Sequence, residues 1–523
     1  MNERKVVFIA HQDQENLGVG YLSSMLLSKG FDVETVDLGL SNDEICMQIK
    51  KANPFLVGFS LIFQYHCFRL RELARFLREN SVDCHFTVGG HYPSLRFGGI
   101  LKIVPEIDSV VRFEGEFTIC ELAENLSMSR EWRNIRGIAY RSYGKPVSNK
   151  LRPLVSDLDS LPFPLRSKET QFQCMGKNYT HILASRGCVK NCSFCSVRKF
   201  YQTPPGKLRR TRSPANVARE MKELYEKNEA RIFLFQDDDF FLQGKLGREW
   251  VQDFIHELES EGLAEQILWK ISCRTDEVDF DLFRKLKKAG LNMVYLGVES
   301  GNKTGLEALN KGLTVEDNIR AVEIMKKLKI LYEFGFMLLD PTSTFDYIRE
   351  NILFLRDICG DGSAPVVFCK MVPYAETDIE KRLMREGRLK GSIINPDYDF
   401  LDPRLDRYCE FLHRIFHDWM ITNTGMLAKL RWNRFEVAIL KKFYPYAKNI
   451  RKYEDFLREI IASSNALCLH IVEKTATIFE ENGSNSETQL RELVELQHAE
   501  LEKINSNLYQ GMVEFQRQQQ LHA

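Results

Sequence analysis

The sequence predicts an α/β protein: a doubly wound parallel sheet at the N-terminus, an open (βα)6 barrel in the middle and a helical region at the C-terminus. Three observations predict it. Short apolar runs alternate with helix-length segments over roughly residues 1–125, the pattern of parallel strands joined by crossover helices. The alternation resumes after Leu158-Asp-Ser-Leu-Pro-Phe-Pro164, which reads as a linker. Beyond residue 386 it gives way to long segments of helical periodicity. The boundaries expected are 1–130, a linker at 131–175, then 176–385 and 386–523. A chain of 523 residues is long enough for about three domains.

In the first region strands are expected at Lys5–Ala10, Phe31–Asp37, Phe55–Ser60, His85–Gly89 and Ser109–Arg112. Helices are expected at Gly18–Lys29 and Phe68–Glu79, and a hairpin around Gly144-Lys-Pro within the linker. Ligands on doubly wound sheets sit beyond the strand C-termini. The residues there are Leu17 and Gly18, Ser60, Gly89, Gly90 and His91, and Glu114, Gly115 and Glu116. Paired glycines let backbone approach a ligand closely. By itself this is a Rossmann-like domain open to many ligands.

In the central region a strand at Tyr179–Ser185 leads into a cysteine-rich loop. Ser213 then caps a helix with Pro214 at its first position. Further strands are expected at Arg231–Gln236, Leu268–Cys273, Met293–Val298, Leu331–Leu338 and Pro365–Met371. The helices between them are expected at Arg248–Glu261, Phe280–Ala289, Val315–Lys327 and Phe345–Asp357. Each strand ends in polar residues, among them Asp237, Asp238 and Asp239, Arg274, Glu299 and Ser300, and Asp340. One acidic run is usually a solvated loop. Five successive strands with polar ends at one barrel mouth are what an active site requires.

The C-terminal region predicts helices at Leu405–Ile421, Tyr453–Glu480 and Glu487–Gln516, the last two separated by Gly483-Ser-Asn-Ser486. In the last helix Leu490, Val494, Leu501, Ile504, Leu508 and Phe515 share a face that Gln497 and Gly511 interrupt. Interruptions at core positions favour a bundle over the barrel's open side rather than a coiled coil. His413, His417 and Trp419 read as core or surface residues, and Arg517–Ala523 as a disordered tail.

The loop Ser185-Arg-Gly-Cys-Val-Lys-Asn-Cys-Ser-Phe-Cys195 is the most informative stretch. Thiolates at Cys188, Cys192 and Cys195 suit zinc or an iron–sulfur cluster. A closed zinc site takes four protein ligands, and the loop offers three. On a four-iron cluster three ligands leave one iron open to a small molecule. Three buried or zinc-bound cysteines are the bland alternative.

Composition narrows the function classes. Lys and Arg together number 72, as do Asp and Glu, so charge gives no case for nucleic acid or an anionic membrane. No apolar run has the length of a membrane span, and Val6–Ala10 is too short for a signal peptide's apolar region. Thirteen scattered cysteines point to a reducing cytoplasm rather than disulfides.

The cysteine spacing, with Phe194 before the third cysteine, resembles that of radical S-adenosylmethionine (SAM) enzymes. Val88-Gly-Gly-His-Tyr-Pro93, Ile107-Asp-Ser-Val-Val111 and Glu114-Gly-Glu116 together resemble the cobalamin-binding domain fused in front of many such cores. Two departures stand out: Phe113 where relatives often carry glycine, and Asp340-Pro-Thr-Ser-Thr344 where a Gly-x-Pro-Gly-Glu-Thr string is common. The resemblance implies a [4Fe–4S] cluster on the three cysteines, whose open iron chelates SAM for reductive cleavage to a 5′-deoxyadenosyl radical. It implies SAM contacts from Phe194, Arg274, Glu299 and Ser300. It implies cobalamin against the nine strand-end residues of the first region, and Asp237, Asp238 and Asp239 toward substrate. Residues 1–125 lack the Asp-x-His-x-x-Gly motif that supplies a cobalt ligand in many cobalamin proteins, so cobalamin is expected base-off and without histidine. The activity implied is radical methylation of an unactivated carbon or phosphorus centre. Rival readings are ring formation or rearrangement without methyl transfer, and a corrinoid or iron–sulfur sensor. A small-molecule or peptide substrate and an electron donor such as flavodoxin or ferredoxin are the partners expected.

Overall fold

The computed structural model describes residues 4–166, 172–242, 244–482 and 487–520. Over the first 150 residues strands β1 (Lys5–Ala10), β2 (Asp32–Asp37), β3 (Leu56–Ser60), β4 (His85–Gly89) and β5 (Ser109–Val111) alternate with helices. These are α1 (Leu17–Ser28), α2 (Asn42–Ala52), α3 (Cys67–Glu79), the short α4 (His91–Leu95) and α5 (Phe97–Ile103), and α6 (Glu116–Ser127). The strands form one sheet in the order β2-β1-β3-β4-β5, parallel throughout. The hairpin expected in the linker, β6 (Ile138–Ser142) and β7 (Lys145–Ser148), pairs antiparallel onto β5 and extends this sheet to seven strands. Apolar side chains cover both faces. Ile9, Phe59 and Phe86 pack with Leu70, Leu73 and Leu77 of α3 on one side. Phe8, Leu56 and Ile138 pack with Leu26 and Ile119 on the other. Strand order reverses between β1 and β3, where ligands of such sheets bind.

The chain continues through β8 (Phe172–Cys174), β9 (Lys177–Ile182) and a two-residue pair, β10 (Ser185–Arg186) with β11 (Arg210–Thr211), which flanks the cysteine loop and α7 (Val197–Gln202). Then come α8 (Pro214–Lys227), β12 (Ala230–Phe235), α9 (Gly244–Ser260), β13 (Leu268–Arg274), α10 (Phe280–Lys288) and β14 (Leu291–Glu299). They are followed by α11 (Lys303–Ala308), α12 (Val315–Leu328), β15 (Leu331–Leu339), α13 (Phe345–Cys359) and β16 (Cys369–Lys370). The second sheet runs β8-β9-β12-β13-β14-β15-β16 without closing, and its pairs from β12 onward are parallel. This is the open βα barrel expected. Its last strand is shorter than the run Pro365–Met371 because Asn465 takes the backbone there, accepting from Val366 N at 2.8 Å and donating to Ala364 O at 2.9 Å.

After α14 (Asp378–Arg385) come a two-stranded pair, β17 (Leu389–Gly391) with β18 (Pro396–Tyr398), and then helices only: α15 (Pro403–Phe416), a π-turn at His417–Ile421, α16 (Met426–Phe443), α17 (Ile450–Asn482) and α18 (Glu487–Gln520). Residues 483–486 and 521–523 lie outside the described residues; α18 continues through Arg517 to Gln520, where a disordered tail was expected. Helix α16, which the sequence reading missed, plugs the floor of the barrel. Its Phe435 and Ile439 pack against Ile232, Leu268 and Met293 near the strand N-termini. Helix α17 packs on α13, α15, α16 and α18, so the helices form a bundle. Gln497 and Gly511 serve that packing. Gln497 is buried and donates to Ile415 O at 2.7 Å, and a Cβ at Gly511 would stand 2.2 Å from the Phe456 ring. Trp419 is buried, while His413 and His417 are exposed.

By its contacts the chain divides into two compact units: Met1–Phe172 with Thr180–Met221 and Pro373–Asp397, and Gln173–Tyr179 with Lys222–Val372 and Tyr398–Ala523. The cysteine loop therefore groups with the first sheet. Among the described residues no helix is long and apolar enough to cross a membrane.

Candidate active site

In the first unit the cysteine loop begins at Gly187, whose φ is +86° and where a Cβ would stand 2.0 Å from Leu208 O. No other residue fits that turn. Cys188, Cys192 and Cys195 follow, all half-buried and free of disulfides. A turn from Cys195 N to Cys192 O (3.1 Å) shapes the loop, and Ile379 N, in the first turn of α14, donates to Ser193 O at 3.0 Å. Among the described residues no three His, Cys, Asp or Glu side chains come close enough to hold one ion. Thiolates that each take a separate iron of a cluster have no need to. Three soft donors on a half-exposed loop fit an iron–sulfur cluster.

Glu114 and Glu116, expected at the corrin, are buried in an ion cluster that grips the strand feeding this loop. Arg210 Nη1 reaches both Glu114 oxygens at 2.8 Å. Arg186 Nη1 lies 3.2 Å from Glu114 and 2.7 Å from Glu116. Val155 N donates to Glu114 at 2.7 Å. The carboxylates hold Arg186 charged despite its burial. Just before them Phe113 adopts φ +64°. That left-handed conformation suits glycine better than a side chain.

His91 is likewise occupied. Its Nε2 is 2.8 Å from Ser196 Oγ, one residue past Cys195, and its ring stacks on Phe200 at 4.5 Å. Burial pushes its pKa down to about 4, so it is neutral at physiological pH. Gly90 has φ +113°, and a Cβ there would stand 2.2 Å from Leu61 O, so the turn closes onto the end of β3. Leu17 is buried, whereas a Cβ at Gly18 would meet nothing nearer than Asn16 Oδ1 at 3.4 Å. Around the β1/β3 switch point Asn16 caps α1 and its Nδ2 lies 3.5 Å from Ser60 Oγ. The rings of His11 and His66 stand 4.5 Å apart there, with Tyr65 against His66. Ile62, Phe63 and Tyr65 are exposed on the loop after β3. An apolar shelf beyond the strand ends of a doubly wound sheet fits a flat macrocycle such as a corrin.

In the second unit the strand ends form a connected polar group. Arg274 is held bidentately by Asp276 (3.0 and 3.2 Å) and donates to Lys311 O at 2.7 Å. Glu299 sits in the left-handed region, φ +64°, and pairs with Lys311 Nζ at 2.9 Å. Two glycines make room for this pair. A Cβ at Gly297 would stand 2.7 Å from Lys311 Nζ, and one at Gly335 would stand 3.1 Å from Glu299 Oε2. Ser300 faces the other way: it is fully buried, with Tyr347 OH and Asn351 Oδ1 each 3.2 Å from its hydroxyl. Asp340 completes that network, accepting from Tyr347 OH at 2.6 Å and Thr342 N at 2.7 Å. The departure on the fifth strand is thus a buried hydrogen-bonding hub.

Asp238 is exposed, while Asp237 and Asp239 are buried. Burial, with the charge and hydrogen bond of Asp239, pushes the Glu277 carboxyl up to about 9, so the two hold a proton between them at neutral pH. Glu277 also accepts from Arg274 N at 3.1 Å. The sequence reading missed Glu277 and Lys311. Lys311 sits in an unmarked Asn310-Lys-Gly312 turn that offers no local signal.

Comparison with known proteins places these features. The B12 binding domain model matches residues 4–123 and the Radical SAM superfamily model residues 182–355. An uncharacterized methyltransferase of Pyrococcus horikoshii is 30% identical over 350 residues, 65% of this chain and 73% of that protein. The anaerobic magnesium-protoporphyrin IX monomethyl ester cyclase of Rubrivivax gelatinosus is 30% identical over 65% of this chain and 61% of its own length. The cytidylyl-2-hydroxyethylphosphonate methyltransferase of Streptomyces wedmorensis is 25% identical over 83% of this chain and 86% of its own. The cobalamin-dependent SAM radical enzyme OxsB, solved with aqua-cobalamin and SAM bound, superposes with a TM-score of 0.70 over 99% of this chain and 84% of its own, at 17% identity. The chain therefore belongs to the radical SAM enzymes that carry an N-terminal cobalamin-binding domain, with a [4Fe–4S] cluster, SAM and cobalamin as its cofactors.

Proposed function

We propose that the protein methylates an unactivated carbon, or a phosphorus centre, of a small biosynthetic intermediate by a radical route. The match to the Pyrococcus methyltransferase carries this reading, and the phosphonate methyltransferase, aligned over most of both chains, supports it. Together the cofactors supply reductive cleavage of SAM and a transferable methyl group. The chain's own residues bind and orient. Cys188, Cys192 and Cys195 hold the cluster, on a loop fixed by Gly187 and by the Arg186 and Arg210 ion cluster. Glu299, held by Lys311, accepts from a ribose hydroxyl or the SAM ammonium, and backbone beside Phe194 meets adenine. Arg274, bound to Asp276, organises the turn, and Ser300 acts through its backbone. Asp238, the exposed member of its run, faces substrate. A small electron-transfer protein such as flavodoxin or ferredoxin supplies the electron.

The test is anaerobic turnover with SAM deuterated in its methyl group and a strong reductant. Recovery of the labelled methyl on the corrinoid, with S-adenosylhomocysteine, is expected without added substrate. Failure to label it, with 5′-deoxyadenosine still formed, would favour ring formation, the reading that the cyclase relative supports. Neither product would leave a sensor.

A further inference from the structure

At the floor end of the second unit a cavity of about 1120 Å³ opens among the last turn of α12, the start of β15, α16 and the first turns of α17. It lies at the opposite end of β15 from the strand C-termini. Its lining is strongly cationic: Lys326, Lys329, Arg434, Lys441, Arg451 and Arg458 face two acids, Glu454 and Asp455. Some of that charge is matched. Glu454 pairs with Lys441, and Asp361 takes Lys326 at 3.2 Å and Arg458 at 2.9 Å. Among the described residues Lys329, Arg434 and Arg451 form no ion pair, and Asp455 is the acid left on the same wall.

Arg434 is the telling residue. It is 9% exposed, yet among the described residues no carboxylate pairs with it. Its Nη1 donates to Tyr332 O at 3.2 Å and its Nη2 to Ser363 O at 2.6 Å. The acid that acts on it most, Glu333, is engaged by Arg431 at 3.5 Å and Lys270 at 3.9 Å. Burying a guanidinium without an anion is costly. The cavity wall also includes Asn449, Ile450 and Arg451, the start of the 33-residue α17. The first N–H groups of a helix lack intrahelical acceptors and carry its positive dipole end, an arrangement that binds phosphate.

We propose that this cavity binds a phosphorylated small molecule of nucleotide size, held by Arg434, Lys329, Arg451 and the N-terminus of α17. Several cationic groups around one space call for a polyanion, and arginine forks favour phosphate oxygens. The volume exceeds what a simple carboxylate fills; drug-sized ligand sites span about 300–1,000 Å³. Its place at the barrel floor makes this a second ligand, distinct from the substrate.

The experiment uses the reconstituted enzyme saturated with SAM and cobalamin, so that adenine sites are filled. ATP, pyrophosphate and inorganic phosphate are titrated calorimetrically at low and high salt. Saturable one-site binding of ATP and pyrophosphate, weakened by salt, is expected. The double variant Lys329→Glu with Arg451→Glu should lose about tenfold or more in affinity while its iron content and SAM binding stay unchanged. Arg434→Gln should lose binding too; because Arg434 also holds two carbonyls, the surface double variant decides. Absence of saturable binding, binding of inorganic phosphate alone, or equal binding by the double variant would each overturn the proposal.

Discussion

Glu114 receives Arg210 through both carboxylate oxygens at 2.8 Å, and both side chains are almost fully buried. The pair ties the end of β5 to the strand that runs alongside the cysteine loop. Removing one partner of a buried ion pair leaves the other charge uncompensated. Glu114→Ala should therefore lower stability by about 3–5 kcal/mol, with Glu114→Gln milder. Denaturant unfolding checks the size, and iron and sulfide analysis should show reduced cluster occupancy. Unfolding indistinguishable from wild type would contradict the role.

Phe113 offers a sharper test of backbone conformation. At φ +64° alanine is strained and glycine is not. Phe113→Gly should thus be more stable than Phe113→Ala by about 1 kcal/mol, although both lose the ring that packs beside Phe200. The usual helix or strand ordering, alanine above glycine, would show that the turn relaxes.

The pH dependence of stability carries the Glu277 signature. Its carboxyl is raised from 4.5 to about 9 in the folded protein, with burial the largest cause. The folded state then binds more protons than the unfolded state between those values, so stability falls as pH rises through that window. Glu277→Gln, which copies the neutral form and still donates to Asp239, should flatten that fall. Urea unfolding of both proteins from pH 5 to 9 measures it, and parallel curves would refute the shared proton.

For the cluster, changing Cys188, Cys192 and Cys195 to Ala together should abolish iron and sulfide incorporation after anaerobic reconstitution. The other ten cysteines should be dispensable for it. Near-full retention in the triple variant would refute the assignment.

Cobalamin should bind base-off and without a histidine. His11 and His66, with ring centroids 4.5 Å apart, lie outside the Asp-x-His-x-x-Gly setting that directs a ligating imidazole. Paramagnetic resonance of the cob(II) form reads the answer. Nitrogen splitting that vanishes on His11→Ala or His66→Ala would show a histidine ligand. Splitting that survives both would show the cofactor's own base.

Strands buried on both faces were legible because their apolar runs are continuous: Lys5–Ala10 and His85–Gly89 match to the residue. Helix α2 was missed although Ser41 and Glu44 form a capping box there. Helix α16 was hidden because Lys429, Arg431 and Arg434 interrupt its apolar pattern, yet Arg434 is buried against backbone carbonyls. At the site the cysteine spacing is visible in the sequence, and the structure sets all three half-buried on one loop. The duties of Glu114 are not visible there, since its partner Arg210 lies 96 positions away. Ser300 directly follows Glu299, but its hydroxyl is buried against Tyr347 and Asn351, partners 47 and 51 positions on that no local pattern announces.

The first unit is built from three separated stretches, the last ending at Asp397. During synthesis the ribosome releases the first sheet and the cysteine loop well before residues 373–397. Ile379, which clamps Ser193 in the loop, arrives almost two hundred residues after the cysteines. The loop therefore gains this contact only late in synthesis, and a fragment ending near residue 172 would carry the first sheet without the cysteine loop that belongs to the same body.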